Sequence, residues 1–206
     1  MVKDSYYSVN SRSDNSWLFW KTTPSGQRVP VEFSAQKYLT GGDERYNTIL
    51  YHGSMMCGGR VARLYMEFAP FGDLHGATLY PRDAWRRTGL VPESFCWNVF
   101  HAMAHVIESV TWGSPLDRKN KADERQTYLH RDLKPGNMLL VAARDKTSQS
   151  LKHPTPVVAD WGLAVPTEMG HPSIRDTNDE WKSWFDKNGL RYVSAGTRGY
   201  RAPEML

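Results

Sequence analysis

Cysteine is nearly absent from this chain: Cys57 and Cys96 are the two it has, far apart and without metal-ligand spacing. That argues against a disulfide framework and fits a reducing intracellular compartment, cytoplasmic or nuclear. No apolar run approaches the length of a membrane span, and Met1-Val2-Lys3-Asp4 lacks a signal-peptide core, so no membrane partner is expected. Charge of one sign is not concentrated either. Lys and Arg total 26 against 22 Asp and Glu, a net of +4, and basic residues cluster only briefly, at Arg86-Arg87 and Arg118-Lys119. These read as solvated surface and not as a nucleic-acid face. No Gly-x-Gly-x-x-Gly occurs anywhere, so a glycine loop to cradle phosphates is absent, degenerate or encoded upstream of Met1. Aromatic residues are not lacking. Eight Trp in 206 residues, with 40% hydrophobic content, argue against disorder and suffice for a core in one or two small domains.

The first 16 residues are polar and rich in Ser and Asn, with one short strand expected at Tyr6–Val9. Trp17–Lys21 reads as a strand ended by Thr-Thr-Pro-Ser-Gly. A helix is expected from Pro30 to Leu39, with Pro30 in its first turn and Gly41-Gly42 as its stop. Thr48–Met56 and Arg60–Phe68 are β-prone runs separated by Cys57-Gly58-Gly59, a hairpin signal. A short helical stretch follows from Pro81 to Gly89. A longer helix starts at Pro92, carries Phe95, Val99, Met103, Val106 and Val110 close to one face, and stops at Gly113. Residues 114–127 read as an exposed loop, and Met138–Ala142 and Pro156–Ala159 as short strands.

The chemistry concentrates in His130-Arg131-Asp132-Leu133-Lys134-Pro135-Gly136-Asn137. This stretch packs a base-capable carboxylate, an ammonium and a metal-binding amide into one short loop. Asp160-Trp161-Gly162 follows after a β-prone run, and Gly196-Thr197-Arg198-Gly199-Tyr200-Arg201-Ala202-Pro203-Glu204 comes near the end. The plain alternative is a loop Asp capping a helix, with the Lys and Asn merely exposed. One such motif alone is weak; the ordered set is specific.

The set resembles the protein-kinase signature of an H-R-D-L-x-x-x-N loop, a D-F-G and an A-P-E. The resemblance covers most of residues 17–206 and implies an α+β, two-lobed fold. Residues 17–68 would form a β-rich N-lobe, 69–80 a hinge and connector, and 81–206 the upper part of a mainly helical C-lobe. On this reading the chain is a partial kinase domain, cut short at both ends, whose isolated stability and activity are expected to be poor.

By resemblance, Asp132 would orient the substrate hydroxyl and accept its proton, and Lys134 would stand beside the transferred phosphoryl group. Asn137 and Asp160 would hold Mg²⁺ for ATP. Lys134 together with Thr197 implies the Ser/Thr class, with a protein substrate. Small-molecule phosphotransferases of the aminoglycoside-kinase type share the H-x-D-x-x-x-x-N loop, but usually lack the Lys two residues after the Asp and the Gly-Thr-x-x-Tyr-x-Ala-Pro-Glu segment. This chain has both. A catalytically silent kinase-like fragment, or a binding module, is the competing reading from another functional class.

In the hinge, Met66 would be the gatekeeper, the Glu67 carbonyl and Ala69 N–H would meet adenine, Asp73 would contact ribose, and Leu139 would lie under the base. For the phosphate-anchoring lysine, Lys21 ends a strand ahead of a helix carrying Glu32, and the two are expected to pair. Lys37 is the rival, though few residues separate it from Thr48. Gln36 stands where the family usually places an apolar residue, and Trp161 where it places Phe. Residues 160–204 would be the activation segment, with Trp181, Trp184 and Phe185 at helical spacing, and Arg131 would pair with a phosphate on it, Ser194 being a candidate acceptor. His101 and His105 lie four apart on the long helix, but without a third ligand they read as ordinary core or surface histidines.

Overall fold

The computed structural model describes residues 1–6, 20–22, 28–40, 47–57, 61–79, 91–112, 127–144, 153–167 and 196–201. Helices and strands are mixed. A three-stranded antiparallel sheet runs in the order β1 (Val2–Tyr6), β5 (Val61–Met66), β4 (Tyr51–Cys57). In the central strand Ala62, Leu64 and Met66 are buried at every second position, the period of a strand with one face on the core. The β4–β5 pairing is the one the hairpin signal predicts.

β1 ends at Tyr6, and Tyr7–Val9 of the strand expected at Tyr6–Val9 lie outside the described residues. Its register sets Asp4 opposite Arg63 and Lys3 opposite Leu64. The Arg63 guanidinium takes both Asp4 carboxylate oxygens, each at 2.7 Å, a bidentate pair that specifies the alignment. Because side chains alternate between faces, that alignment turns Lys3 toward the side of buried Leu64; a one-residue slip would reverse it.

β2 (Trp20–Thr22) and β3 (Arg28–Pro30) form a separate antiparallel ribbon that leads directly into α1 (Val31–Thr40). Helix α1 buries Phe33, Ala35, Gln36 and Leu39 along with Glu32. Phe33 packs with Ile49, Leu64 and Val157, whereas Ala35 and Leu39 pack with Val106, Val158 and Trp161. The helix thus lies between two hydrophobic clusters, with Glu32 on the same inward side. Each fully buried large side chain in these clusters stabilises the fold by about 1.5–3 kcal/mol.

Residues 69–80, read from sequence as a plain connector, contain α2 (Leu74–Leu79). Asp73 precedes it, and its Oδ1 accepts the Gly76 N–H at 2.7 Å, the bond of an N-cap. Helix α3 (Glu93–Trp112) buries Phe95, Ala102 and Val106 and leaves Trp97, Phe100 and Ile107 exposed. Among the described residues there are two further antiparallel pairs: β6 (Thr127–Leu129) with β9 (Val165–Thr167), and β7 (Met138–Val141) with β8 (Thr155–Val158). Thr127, placed in a loop by the sequence reading, begins β6. Among the described residues, no helix is long and apolar enough to cross a membrane. The helix expected at 81–89, the one around Trp181–Phe185, Ser194 and Ala202-Pro203-Glu204 lie outside the described residues.

Candidate active site

The loop after β6 reverses direction between the two short strand pairs, and its backbone is unusual at Arg131, where φ is +65°. His130 anchors it. The ring is buried, its Nε2 donates to the Ala159 carbonyl at 3.0 Å, and its Nδ1 accepts the Asp132 N–H at 3.2 Å. Burial holds this imidazole below the ordinary histidine range, so it stays neutral with one fixed tautomer. Its ring lies 4.5 Å from that of Trp161, which is completely buried.

Asp132 is where the sequence-predicted residues meet. Its Oδ1 accepts the Thr197 backbone N–H at 2.7 Å, and its Oδ2 accepts from Lys134 Nζ at 2.8 Å and Asn137 Nδ2 at 3.0 Å. Lys134 Nζ also donates to Thr197 Oγ1 at 2.6 Å. Burial pushes the Asp132 carboxyl up, but the bonds from Lys134, Thr197 and Asn137 outweigh it and hold the group below the usual carboxylate value. It is therefore an anion that only accepts.

Thr197 reaches Asp132 because Gly196 precedes it. At Gly196 φ is +90°, and a Cβ there would stand 2.4 Å from the Arg131 carbonyl oxygen. Only glycine allows the two backbones this close. Arg201 closes the turn, donating from its guanidinium to the Gly196 carbonyl at 3.0 and 2.9 Å.

A second cluster holds Asp160, which adopts a left-handed conformation with φ 62° and ψ 65°. Its Oδ1 accepts from Lys3 Nζ at 2.8 Å, and the same ammonium donates to Glu32 Oε1 at 2.6 Å. Burial raises the Asp160 carboxyl, yet the Lys3 charge and hydrogen bond bring it below the ordinary value. For the deeper Glu32 carboxyl, burial wins over Lys3 and leaves it raised. Lys3 itself loses proton affinity to desolvation but gains more from the two carboxylates, so it is raised.

Where the sequence reading expected Lys21, the structure places Lys3 as a partner of Glu32. Lys21 lies on the β2–β3 ribbon, opposite Val29, and the rival Lys37 is on the exposed side of α1. Sequence reasoning passed over Lys3 because Val2-Lys3-Asp4-Ser5-Tyr6 is polar. Its place beside Glu32 is visible only once β1 is paired with β5.

Backbone bonds tie the two clusters together. The Ala159 N–H donates to the Asn137 carbonyl at 2.9 Å, so Asn137 and Asp160 emerge side by side from the end of the β7–β8 pair. The Asn137 amide nitrogen is committed to the Asp132 carbonyl (2.8 Å) and carboxylate. Its Oδ1 makes no hydrogen bond among the described residues. Asp160 keeps 48% of its side chain exposed. Two oxygen ligands at an open edge fit a hard cation such as Mg²⁺, which retains waters and takes phosphate oxygens. Among the described residues no group of three or more His, Cys, Asp or Glu could enclose a metal, and His101 with His105 is a ring pair, centroids 4.2 Å apart.

The remaining predicted residues line a strap between β5 and α2. Met66 is buried at the end of β5. The Glu67 N–H donates to the Leu50 carbonyl at 2.9 Å, while the Glu67 carbonyl and the Ala69 N–H make no hydrogen bond among the described residues. Further on, the Phe71 N–H donates to the Leu140 carbonyl at 3.3 Å and the Leu140 N–H to the Gly72 carbonyl at 2.8 Å. These bonds hold the strap over β7, with Leu139 and Ala69 packed against the same hydrophobic cluster. Asp73 bridges Leu139 and caps α2.

No family model and no curated protein matches the chain. Among solved structures, a chain in the crystal structure of the yeast RNA Pol II CTD kinase CTDK-1 complex aligns with a TM-score of 0.44 and 17% identity, over 81% of this chain and 39% of that one. The chain therefore spans well under half the length of that relative. A likeness this distant has no bearing on function.

Proposed function

We propose that the chain is the catalytic part of a two-lobed, protein-kinase-like phosphotransferase that moves the γ-phosphoryl group of ATP to a protein Ser or Thr hydroxyl. The observation that carries the reading is the convergence of Lys134, Asn137 and Thr197 on Asp132, beside an independent Lys3–Glu32–Asp160 triad. A cation-and-phosphate site thus lies next to an acceptor-hydroxyl site, which is what phosphoryl transfer requires.

In this reading the acceptor hydroxyl donates to the Asp132 carboxylate. Its oxygen attacks the γ-phosphorus as the bond to the bridging oxygen of ADP breaks, and the proton passes to Asp132. A carboxylate held low by three hydrogen bonds is a weak base, so its main contribution is orientation, with proton transfer late, as a loose transition state allows. Lys134 stabilises charge on the moving group. Lys3, positioned by Glu32, holds a phosphate oxygen of the donor. Asn137 and Asp160 would hold Mg²⁺, which neutralises the phosphate chain. Thr197 bridges Lys134 and Asp132, the arrangement that supports Ser/Thr acceptors.

The strap favours adenine on hydrogen-bond grounds. A carbonyl at Glu67 and an N–H at Ala69 present an acceptor and a donor, matching the N6 amine and the N1 acceptor of adenine. Guanine offers the reverse pattern, a carbonyl and an N–H, and would meet like with like.

The test is calorimetric titration of Mg-ATP into the full chain and two variants. Asp160→Asn is expected to lose metal-dependent binding, because it removes charge from the cation site. Asp132→Asn is expected to keep it, because that residue faces the acceptor. Equal loss in both variants, or no binding by the wild-type chain, would refute the assignment and favour a silent kinase-like fold.

A further inference from the structure

The strap that presents Glu67 and Ala69 is tied at its far end by backbone bonds to β7 at Phe71 and Gly72. Its near end has one such bond, from the Glu67 N–H to the Leu50 carbonyl, and is held through the Glu67 side chain as well. Arg144, just after β7, sends its guanidinium into the junction of three segments. Nη1 and Nη2 donate to the Thr48 carbonyl at 3.3 and 3.2 Å, and Nη2 pairs with Glu67 Oε2. The Arg144 N–H is itself fastened to Thr155 Oγ1 at 3.1 Å, on β8. The pair is largely removed from water, with 9% of the Arg144 side chain exposed and 20% of that of Glu67. The Thr48 segment is in turn locked to β8 through Ile49 N–H to the Val158 carbonyl and Val158 N–H to the Asn47 carbonyl, at 3.0 and 2.7 Å.

Glu67 is the residue whose carbonyl faces the base in the reading above, and its side chain points the other way, into this clamp. Rotation of the 67–69 backbone would therefore drag a carboxylate away from a nearly buried guanidinium. The Arg head offers the carbonyl and the carboxylate several donors in one rigid fork, whereas a Lys ammonium is a point charge on a flexible stem.

We infer that Arg144 is a positioning residue for the nucleobase: by clamping the Glu67 side chain to Thr48 it fixes the orientation of the Glu67 carbonyl and the Ala69 N–H. The inference rests on the nucleotide reading and adds to it the source of base selectivity. Arg144 touches no substrate. It acts by limiting the rotation that would let the strap accept a purine with reversed edges.

The experiment compares the full chain with Arg144→Met, Arg144→Lys, Glu67→Gln and the Arg144→Met/Glu67→Gln double variant. The readouts are the dissociation constants of Mg-ATP and Mg-GTP, the KM and kcat for transfer, and thermal unfolding. Arg144→Met is expected to weaken ATP binding roughly tenfold, as lost preorganisation does, to narrow the preference for ATP over GTP, and to move KM several times more than kcat. The double variant is expected to lose little more than Arg144→Met alone, because the two side chains form one clamp. Arg144→Lys keeps the charge without the fork; it is expected to fold and still to bind ATP more weakly, which keeps the test open should Arg144→Met fail to fold. A lowered unfolding temperature with unchanged ATP affinity and an unchanged ATP-to-GTP ratio would overturn the positioning role and leave the nucleotide reading standing. Absence of any nucleotide binding by the wild-type chain would remove both.

Discussion

Replacing Gly196 with Ala probes the geometry of the site without touching any charged group. The new Cβ would stand 2.4 Å from the Arg131 carbonyl oxygen, 1.0 Å short of ordinary contact at 3.4 Å, on a backbone whose φ is +90°. The clash is with main chain at Arg131, which is already at φ +65° and has little freedom to yield. Positive φ costs a residue with a Cβ about 1–2 kcal/mol. Moving Thr197 back by about 1 Å would break its 2.7 Å bond to the Asp132 carboxylate, worth about 1.5–3 kcal/mol as a bond to a charged group. Stability is therefore expected to fall by about 2.5–5 kcal/mol. Turnover is expected to fall about a hundredfold in whatever fraction stays folded, since a 1 Å misplacement can cost that much. Gly199→Ala is the control: nothing lies within 4 Å of its added Cβ, and a change within about 0.5 kcal/mol is expected. Urea unfolding of both variants, with single-turnover transfer under native conditions, decides the matter. Gly196→Ala behaving like Gly199→Ala in both assays would refute the close approach and the role given to Thr197.

Other consequences are more local. Lys3→Met is expected to weaken Mg-ATP binding at least tenfold, whereas Lys21→Met is expected to leave it unchanged; titration of both separates the observed pair from the expected one. His130 is held below its ordinary 6.5 by burial, so the unfolded chain takes up the proton first as pH falls. Its contribution to stability is full above pH 6.5 and is lost progressively below it, as pH drops through the lower folded value; His130→Asn is expected to flatten that part of a stability-versus-pH curve. Trp161 is fully buried, and its indole N–H has no hydrogen-bond partner among the described residues. Trp161→Phe trades lost packing against removal of that donor and is expected to stay within about 1.5 kcal/mol of wild type, while Trp161→Ala is expected to cost about 3–5 kcal/mol, both read by denaturant unfolding.

The parts of the site that sequence alone makes legible are those whose chemistry is contiguous. His130 to Asn137 carry their roles in one short loop, and the 3.6-residue pattern of Phe95, Val99, Val106 and Val110 places α3 almost to the residue. Glu32 was also legible, but its partner was not, because an ion pair can span 29 residues as easily as 11 and nearness in sequence favoured Lys21. Lys3 sits in an edge strand that owes its existence to pairing with β5 and to the Asp4–Arg63 bridge, and such a strand has no apolar alternation of its own. Gln36 is a polar residue on the buried side of α1, and its amide nitrogen donates to the Ile49 carbonyl at 2.6 Å, so it serves a backbone acceptor there. Asp73 carried a ribose role by resemblance, and its role as the cap of α2 was hidden because the six-residue helix is too short to show a period. Arg144 gave no local signal at all, since its three partners come from 11 to 96 residues away.

The central claim is that Asp132, gathered with Lys134, Asn137 and Thr197, directs phosphoryl transfer to a hydroxyl. Its most direct test is single-turnover transfer from γ-labelled ATP with Mg²⁺ to a Ser/Thr/Tyr-containing protein acceptor, by the wild-type chain and by Asp132→Asn at saturating nucleotide. Loss of the carboxylate is expected to lower the transfer rate by about 10²–10⁴-fold, with the label of the wild-type reaction on phosphoserine and phosphothreonine. A near-normal rate in Asp132→Asn, or a product that is mainly phosphotyrosine, would contradict the account.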